Sequence, residues 1–357
     1  MNAPSWIAAA TAFAIVVVCA PVVKALCLRF GLVDSPGALK IHSRPVPRLG
    51  GAAILFAIVA STWLAPHSAF ISTFLAALGL IGLAGLVDDI RGLPVAARLA
   101  AQLAAAFLLW HGGYRLPWAG TGALALMTAC LFVVAFINAF NFLDGADGVA
   151  AGVAAVIAAA YLSLPTGWQS PPGMFTAVAV LGASAAFLLP NFPPASLFMG
   201  DSGSTVLGFC VVFLALDFYG ARGASGANLY FPVQVAALPF LDALLAVVRR
   251  LRNAQSPFRG DRRHFYDLLL ARGWPPRRVA ISCYAIAMAF AVAARLGLQM
   301  RPVAGGWIFA ISAGIFLLAA LRLGSLRRTE AGSEDAPGRL RRVRKDGPRS
   351  AAAAFLR

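Results

Sequence analysis

Long apolar segments recur along the whole chain and constrain its fold more than any other feature. A helix that crosses a bilayer needs about 20 mostly apolar residues. Eleven candidate segments lie near residues 5–27, 50–65, 69–87, 93–111, 119–137, 149–165, 173–190, 203–218, 230–248, 279–297 and 304–322. Because lipid offers the backbone no hydrogen bonds, such segments must be helical. The sequence therefore predicts an all-α, polytopic membrane helix bundle with about 11 transmembrane helices.

Composition and charge exclude several other classes of protein. The chain is 60% hydrophobic and only 12% charged, whereas soluble domains average about 25% charged residues. The net charge of +16 would suit a nucleic-acid partner, but the basic residues lie in loops and in the tail rather than on one face, so we expect none. The five cysteines form no CxxC pair and are interpreted as buried apolar side chains.

The distribution of basic residues predicts the orientation of the bundle. Of the 30 lysine and arginine residues, 26 fall on one side of the predicted spans. Cytoplasmic loops of membrane proteins carry such an excess, so we expect the amino terminus outside and the carboxyl terminus in the cytoplasm. Residues 1–322 are predicted to form the transmembrane domain. Residues 323–357, basic and rich in small residues, are predicted to be a disordered cytoplasmic tail.

Aspartates gather on the predicted cytoplasmic side. Asp88, Asp144 and Asp201 each sit at the inner end of a different odd-numbered span, so their loops can converge at one membrane depth. Acidic residues near the hydrocarbon are costly and usually mark function. Asp88 and Asp89 are adjacent, and such a pair needs a cation or a raised pKa. The pattern therefore predicts a cation site at this face.

Two further motifs supply oxygen ligands. In NAFNFLDGADG, two amides and two carboxylates follow one another at steps of three: Asn138, Asn141, Asp144 and Asp147. On a helix this spacing puts them on one face, and such groups suit a hard cation with a nucleotide. In FMGDSGS, Asp201 opens a helix whose free amides suit an anion, and Phe198 could stack on a base.

Basic and histidine residues complete the set of candidate site residues. The loop VDSPGALKIHSRPVPRLGG and the segment SPFRGDRRHFYDLL carry Lys40, His42, Arg44, Arg48, Arg259, Arg262, Arg263 and His264. Carboxylates, amides and cations around Mg²⁺ suit phosphoryl transfer. The motif GxxxxGK[ST] is absent from the sequence, which argues against a P-loop ATPase.

These five motifs, in this order from about Asp34 to Asp267, resemble those of the polyprenyl-phosphate N-acetylhexosamine-1-phosphate transferases. The resemblance implies that a UDP-linked amino sugar donates its sugar 1-phosphate to undecaprenyl phosphate and releases UMP, at the inner membrane of a bacterium. It also implies Mg²⁺, with Mn²⁺ as an alternative ion, and it allows a homodimer. Direct attack by the lipid phosphate is the preferred mechanism.

The resemblance also implies roles for individual residues. Asp201 and Asn141 match metal ligands. The catalytic candidates are Asp88, Asp89, Asp144 and His264, with Asp88 handling the lipid phosphate and Asp144 near the diphosphate. Residues expected to bind substrate are Lys40, His42 and Arg48 at the phosphate entrance, Arg98 beside the diphosphate, Asp147 and Phe198 at uracil, and Arg262 and Arg263 at sugar or pyrophosphate. Asn138 is also expected to bind substrate.

The sequence departs from the family pattern in its last motif. Many members have His-x-His-His where this chain reads His264-Phe265-Tyr266-Asp267. With its long first loop, this favours the branch that initiates surface polysaccharides such as O-antigen lipopolysaccharide over the peptidoglycan translocase, and it leaves the sugar open. The competing interpretations are an ion-coupled transporter, a membrane scaffold with a basic tail, and a CDP-alcohol phosphotransferase. The transporter is the main alternative.

Overall fold

The protein is described here by a computed structural model that covers residues 3–35, 44–66, 68–165, 170–222, 226–256 and 260–326. Within these ranges the chain forms α1 Ala3–Phe30, β1 Val33–Asp34, β2 Val46–Pro47, α2 Gly50–Thr62, α3 Ala69–Arg91, α4 Val95–His111, α5 Ala123–Leu143, α6 Val149–Leu162, α7 Pro171–Asn191, α8 Gly200–Arg222, α9 Phe231–Val235, α10 Ala237–Arg252, α11 Phe265–Leu270, α12 Pro276–Gly297 and α13 Pro302–Arg322. Every predicted span contains a helix, which confirms the all-α prediction.

Helix length and composition agree with a multi-pass membrane protein. Among the described residues, α1, α3, α5, α7, α8, α12 and α13 are long and apolar enough to cross a membrane, and α2, α4 and α6 are shorter apolar helices. Large apolar side chains on the outer helices are exposed, among them Val18 at 66% and Trp307 at 65%. In a membrane these side chains contact lipid, which explains why they need no protein partner.

Helix α8 is the centre of the bundle. It packs against α2, α3, α5, α6 and α7, and the apolar residues from Val206 to Leu216 are buried on all its faces, as expected for a helix enclosed by others. Its side chains Phe209 and Phe213 are fully buried. Their ring centroids lie 5.9 and 4.2 Å from that of Phe74 on α3. The first turn of α8 therefore emerges in the middle of one end of the bundle.

Two predicted spans differ most from the observed helices. The fifth span was predicted to end at 137, but α5 continues to Leu143, because Asn138 donates to the carbonyl of Val134 and its polar side chain does not end the helix. The ninth span is broken at Ala236 into α9 and α10. Pro239 has no amide hydrogen to donate to the carbonyl of Val235, so the helix cannot run through this point.

The first loop is fastened to the segment that precedes α8. Strands β1 and β2 pair antiparallel, with Val33 opposite Pro47. The amide of Phe198 donates to the carbonyl of Pro47 at 2.8 Å, and the amide of Gly50 donates to the carbonyl of Phe198 at 2.9 Å. The loop and the start of α8 therefore form one surface, although about 150 residues separate them in sequence.

Glycine allows α3 and α8 to approach closely at this end. A Cβ atom at Gly85 of α3 would lie 2.5 Å from the Cα of Ser202 in the first turn of α8. Gly79, two turns earlier in α3, has nothing within 4 Å of the equivalent position. The contact between the two helices therefore depends on Gly85 and not on glycine in general.

We expect Gly85→Ala to lower the free energy of unfolding by roughly 1–3 kcal/mol, as overpacking does elsewhere. The matched control is Gly79→Ala in the same helix, which meets no neighbour and should leave stability unchanged or slightly raised. Thermal unfolding in detergent measures both variants. Equal unfolding temperatures for the two would show that the close approach at Gly85 is not needed.

Candidate active site

Asp89 holds the first turn of α8. Its two carboxylate oxygens accept hydrogen bonds from the amides of Asp201 at 2.8 Å and Ser202 at 3.0 Å. The amides in the first turn of a helix have no partner within the helix, so an outside acceptor is required. Asp89 is 5% exposed. It lies on the wall of the main cavity, where it positions Asp201.

The neighbouring carboxylate points elsewhere. One oxygen of Asp88 accepts from the amide of Leu93 at 2.5 Å, and the other accepts from Arg98 at 3.3 Å. Arg98 is also 3.7 Å from the Asp201 carboxylate, so it lies between the two acidic side chains. Although they are adjacent in sequence, the two aspartates therefore have different roles. Asp89 binds the backbone amide of Asp201, whereas Asp88 binds Arg98 beside the Asp201 side chain.

Asn141 and Asp201, the two predicted metal ligands, are in direct contact. The side-chain amide of Asn141 lies 2.6 Å from Oδ1 of Asp201 and 3.1 Å from the hydroxyl of Ser204. Asn141 is in the last turn of α5, whereas Asp201 is in the first turn of α8. Asp201 thus belongs to the start of the eighth predicted span, not to the end of the seventh, because Gly200 begins the helix.

The expectation that four polar residues share one helix face is wrong beyond Leu143. Asn138 and Asn141 lie on α5, but the helix ends at Leu143, so Asp144 and Asp147 lie in the turn that follows. Asn138 donates to Gln102 of α4 at 2.7 Å. The turn closes at Gly148, where φ is 74°, a backbone conformation that favours glycine.

The carboxyl group of Asp144 lies in a place where its negative charge is unfavourable. Burial raises its pKa well above the ordinary value, and the nearby charges of Asp201, Asp89 and Asp147 raise the pKa further. Each of these neighbours carries the same sign of charge. A cation placed among them would remove the repulsion.

Asp147 and Phe198 lie on a second wall, built around the segment 193–198. Asp147 accepts from the amide of Ala195 at 2.9 Å. Asn191 fixes the same region, since it accepts from the amide of Gly148 at 3.0 Å and donates to the carbonyl of Leu197 at 2.9 Å. The wall is therefore held by one side chain from the turn after α5 and one from the end of α7.

A buried network of charges supports the last motif. Arg249 forms a bidentate pair with Asp261, with nitrogen to oxygen distances of 2.7 and 2.9 Å, and Arg250 adds a third contact at 3.2 Å. Burial acts to raise the pKa of Asp261, but the hydrogen bond and charge of Arg249, with Arg250 and His264, lower it below its usual range. His264 is 4% exposed and lies 2.7 Å from Asp242.

The residues that replace the usual histidine pair tie this motif to its surroundings. The hydroxyl of Tyr266 donates to the carbonyl of Phe142 at 2.8 Å, next to the end of α5. Asp267 pairs with Arg262 at 3.0 Å. Burial raises the pKa of Asp267 to about 6, against the lowering effect of Arg262. The motif therefore serves partly as a structural tether in this chain.

The other predicted substrate-binding residues have different outcomes. Arg48 and Arg262 line the main cavity. Arg263 is half-buried and is not among the residues that line the cavities described here. Lys40 and His42 lie outside the described residues.

Two cavities meet at the end of the bundle where Asp89, Asp144 and Asp201 lie, which is called the acidic end below. The main cavity has a volume of about 1030 Å³, and a smaller one of about 300 Å³ lies beside it. The walls that they share are formed by Asn141, Asp144, Gly145 and Arg262. Ligand pockets typically measure about 300–1,000 Å³, so two ligands could meet across this common wall.

The donor atoms fit a magnesium ion. They are oxygens of carboxylates and an amide, which a hard cation prefers. Among the described residues no three acidic, histidine or cysteine side chains converge on one point. Mg²⁺ is commonly held by one or two carboxylates, with water and substrate phosphates completing its shell. Asp201 and Asn141 suit that arrangement, and the mutual repulsion around Asp144 favours a cation there.

Comparison with known proteins decides the family. The model of glycosyl transferase family 4 matches residues 70–219, which hold α3 to α8. The decaprenyl-phosphate N-acetylglucosaminephosphotransferase of Mycolicibacterium smegmatis is 33% identical over 303 residues, which cover 73% of this chain and 74% of that protein. The chain belongs to glycosyltransferase family 4. This confirms the resemblance drawn from the motifs.

Other family 4 relatives come from distant bacteria. The probable undecaprenyl-phosphate N-acetylglucosaminyl 1-phosphate transferase of Bacillus subtilis is 27% identical and covers 78% of this chain and 81% of its own. The undecaprenyl-phosphate alpha-N-acetylglucosaminyl 1-phosphate transferase of Yersinia pestis is 28% identical, over 85% of this chain and 86% of its own. The similarity therefore extends along most of each protein.

Sequence reasoning missed several residues of this family 4 site. Arg249 and Arg250 look like ordinary positive charges at the end of an apolar helix, yet both are buried. Gln102 and Arg277 also line cavities. Gln102 offers a signal, because it is a polar residue within an apolar segment. Nothing in the sequence distinguishes Arg277 from Arg278.

We expect Asp89→Ala to lower stability by about 1–2 kcal/mol, the usual effect of losing a helix cap, and to reduce activity because Asp201 loses its support. Asp89→Asn keeps one oxygen acceptor and should lose less of both. The control is Arg91→Ala, an exposed position in the same last turn of α3. Chemical unfolding and transfer assays measure the variants. Unchanged stability in Asp89→Ala would contradict the capping role.

Proposed function

We propose that this protein transfers a sugar 1-phosphate of the N-acetylhexosamine class from a UDP-sugar to a polyprenyl phosphate such as undecaprenyl phosphate. The products are a polyprenyl-diphosphate sugar and UMP. The reaction is the first membrane step of a cell-envelope polysaccharide, at the cytoplasmic face of a bacterial inner membrane. The activities for which the relatives are named point to N-acetylglucosamine as the first sugar to test.

The contact between Asn141 and Asp201 carries the proposal. These residues are 60 positions apart in sequence, yet their side chains lie 2.6 Å apart at the junction of α5 and α8. Asp144 and Arg262 lie beside them on the wall common to both cavities. Oxygen ligands and a guanidinium at one point are what a reacting diphosphate requires.

The two cavities suit two unlike substrates. The main cavity is lined by acidic side chains, by arginines and by Phe198, and this lining suits the nucleotide and sugar of a soluble donor. The smaller cavity is lined by Arg98 and His264 and also by the apolar Val95 and Leu99 of α4. An acceptor with a phosphate head and an isoprenoid chain suits such a mixed lining.

The chemistry then follows from positioning. An oxygen of the acceptor phosphate attacks the phosphorus that carries the sugar, a new P–O–P bond forms, and the bond to UMP breaks with the bridging oxygen leaving on UMP. A phosphate oxygen is already anionic near neutral pH, so alignment matters more than a strong base. Arg98 and Arg262 are placed to hold the phosphate oxygens, while Asp89 keeps Asp201 in register.

A magnesium ion held by Asp201 and Asn141 would neutralise charge that develops on the diphosphate. Asp144 lies next to these residues and would face the same charge. Assignment to the surface-polysaccharide branch rests on the sequence alone and stays a prediction.

The transporter alternative is not favoured. Ion coupling would need an acidic residue within a span, and Asp242 lies within the predicted span 230–248. In the structure Asp242 lies 2.7 Å from His264 and also accepts from the amide of Phe265 at 2.8 Å. It is therefore part of the support for the last motif. An ion-coupling carboxylate would instead be expected to face an open site within the membrane, and Asp242 lines none of the three cavities described at the acidic end of the bundle.

We expect Asp201→Asn to reduce the formation of labelled lipid product by at least about 100-fold, because the ligand charge at the diphosphate is lost. The assay mixes membranes that contain the protein with labelled UDP-N-acetylglucosamine, undecaprenyl phosphate and Mg²⁺. The control is Asp217→Asn at the other end of α8, where the new amide oxygen can still accept from Ser170. Labelling retained by Asp201→Asn would remove this residue from the metal site.

We expect Mg²⁺ to raise the unfolding temperature more at about pH 8 than at about pH 5. The pKa of Asp144 is higher in the folded protein than in the unfolded chain. Its ionisation therefore destabilises the fold as pH rises from the ordinary value through the raised one, and a bound cation offsets this loss. Thermal unfolding with Mg²⁺, and with Na⁺ at equal ionic strength, tests this. The pH dependence should be weaker in Asp144→Asn.

A further inference from the structure

Arg277 lines the main cavity from a part of the chain outside every motif considered so far. It lies in the first turn of α12, after Pro275 and Pro276. Its Nε donates to the carbonyl of Pro193 at 2.8 Å. Two prolines restrict the backbone before it, since each fixes φ. The position of the guanidinium is therefore set by both its backbone and its own hydrogen bond.

The hydrogen bond through Nε leaves the two terminal nitrogens of Arg277 available. Within the part of the chain that the structure describes, no partner is seen for them. A guanidinium has five N–H donors and no acceptor. Arg277 can therefore offer a fork of donors to a ligand in the cavity without giving up the contact that holds it.

Asp147 is attached to the same short segment as Arg277. The carbonyl of Pro193 accepts from Arg277, and two residues later the amide of Ala195 donates to Asp147 at 2.9 Å. A side chain that only donates and a carboxylate that only accepts are thus fixed to one wall of the main cavity. This wall is distinct from the one shared with the smaller cavity, which neither residue lines.

We propose that Arg277 binds the uracil of the donor and contributes to the choice of uridine over other nucleosides. This inference rests on the function proposed above. The diphosphate belongs at the shared wall, beside Asp201 and Arg262, so the nucleoside extends along the rest of the main cavity. The edge of uracil presents carbonyl oxygens that accept hydrogen bonds. Cytosine has an amino group in place of one of them, and that group would face the guanidinium as donor against donor.

The neighbouring arginine provides a natural comparison. Arg278 is also exposed and also lies in the first turn of α12, but its guanidinium stacks on Trp274 at 4.0 Å from the ring centroid. It is not among the residues that line the main cavity. Arg278→Ala therefore removes a similar charge from the same turn without touching the proposed site.

The test measures equilibrium binding of UMP, CMP and inorganic pyrophosphate to the purified full-length protein with Mg²⁺. Arg277→Gln is the informative variant, because Nε2 of glutamine occupies the place of Nε of arginine and can still donate to Pro193. We expect it to weaken UMP binding about tenfold, or about 1.4 kcal/mol. It should reduce the preference for UMP over CMP by a similar factor. Binding of pyrophosphate to Arg277→Gln should be unchanged. Arg278→Ala should bind UMP, CMP and pyrophosphate as the wild-type protein does.

Two results would overturn the inference. Wild-type affinity for UMP in Arg277→Gln would remove the residue from the site, and an equal loss of pyrophosphate binding would place it at the phosphates. Unchanged pyrophosphate binding also shows that the variant is folded. Failure of the proposed function is distinct, since the wild-type protein would then neither bind UMP nor form lipid product.

Discussion

The amides of Asp201 and Ser202 at the start of α8 need acceptors, and the carboxylate of Asp89 accepts from each of them. The arrangement of the carboxylates at the acidic end of the bundle follows from these two hydrogen bonds. Within α8 these amides have no partner, because the first turn of a helix leaves its amides unpaired. Asp89 therefore joins the end of α3 to the start of α8. Asp201, Asn141 and the segment before Gly200 are then placed by the same junction. A hydrogen-bonding need of the backbone thus determines where the reactive carboxylate lies.

The helices could be predicted from the sequence because hydropathy reports membrane burial directly. Polar residues made the boundaries less certain. The apolar segment ends before Asn138, and the predicted span ended with it. The helix nevertheless continues, because the side-chain amide of Asn138 finds hydrogen-bond acceptors inside the bundle. The break at Ala236 had a signal in Pro239 that an apolar count does not weigh. The bundle itself was predictable, whereas the local geometry depended on individual hydrogen bonds.

The site was partly predictable for a related reason. The positions of Asp88, Asp144 and Asp201 at the ends of predicted spans indicated that their loops should converge. In the structure Asp201 lines one cavity with Asp88 and another with Asp144. The sequence pattern did not separate Asp88 from Asp89, because neighbouring residues on a helix leave the axis about 100° apart and so reach different partners. Nor could it find Arg249 and Arg250. Both arginines form buried ion pairs with Asp261. In the sequence, however, they look like the basic residues that commonly flank the cytoplasmic end of a membrane helix.

The support of the last motif also reaches the end of the described fold. Arg249, which holds Asp261, donates through its other arm to the carbonyl of Ser325 at 2.8 Å. Arg272 reaches the carbonyl of Leu323 at 3.0 Å. The short stretch after α13 is thus anchored beneath the segment that carries His264. Trimming the protein back to Arg322 would leave a buried guanidinium short of an acceptor, so the safe place for a fusion or a cut lies beyond Leu326.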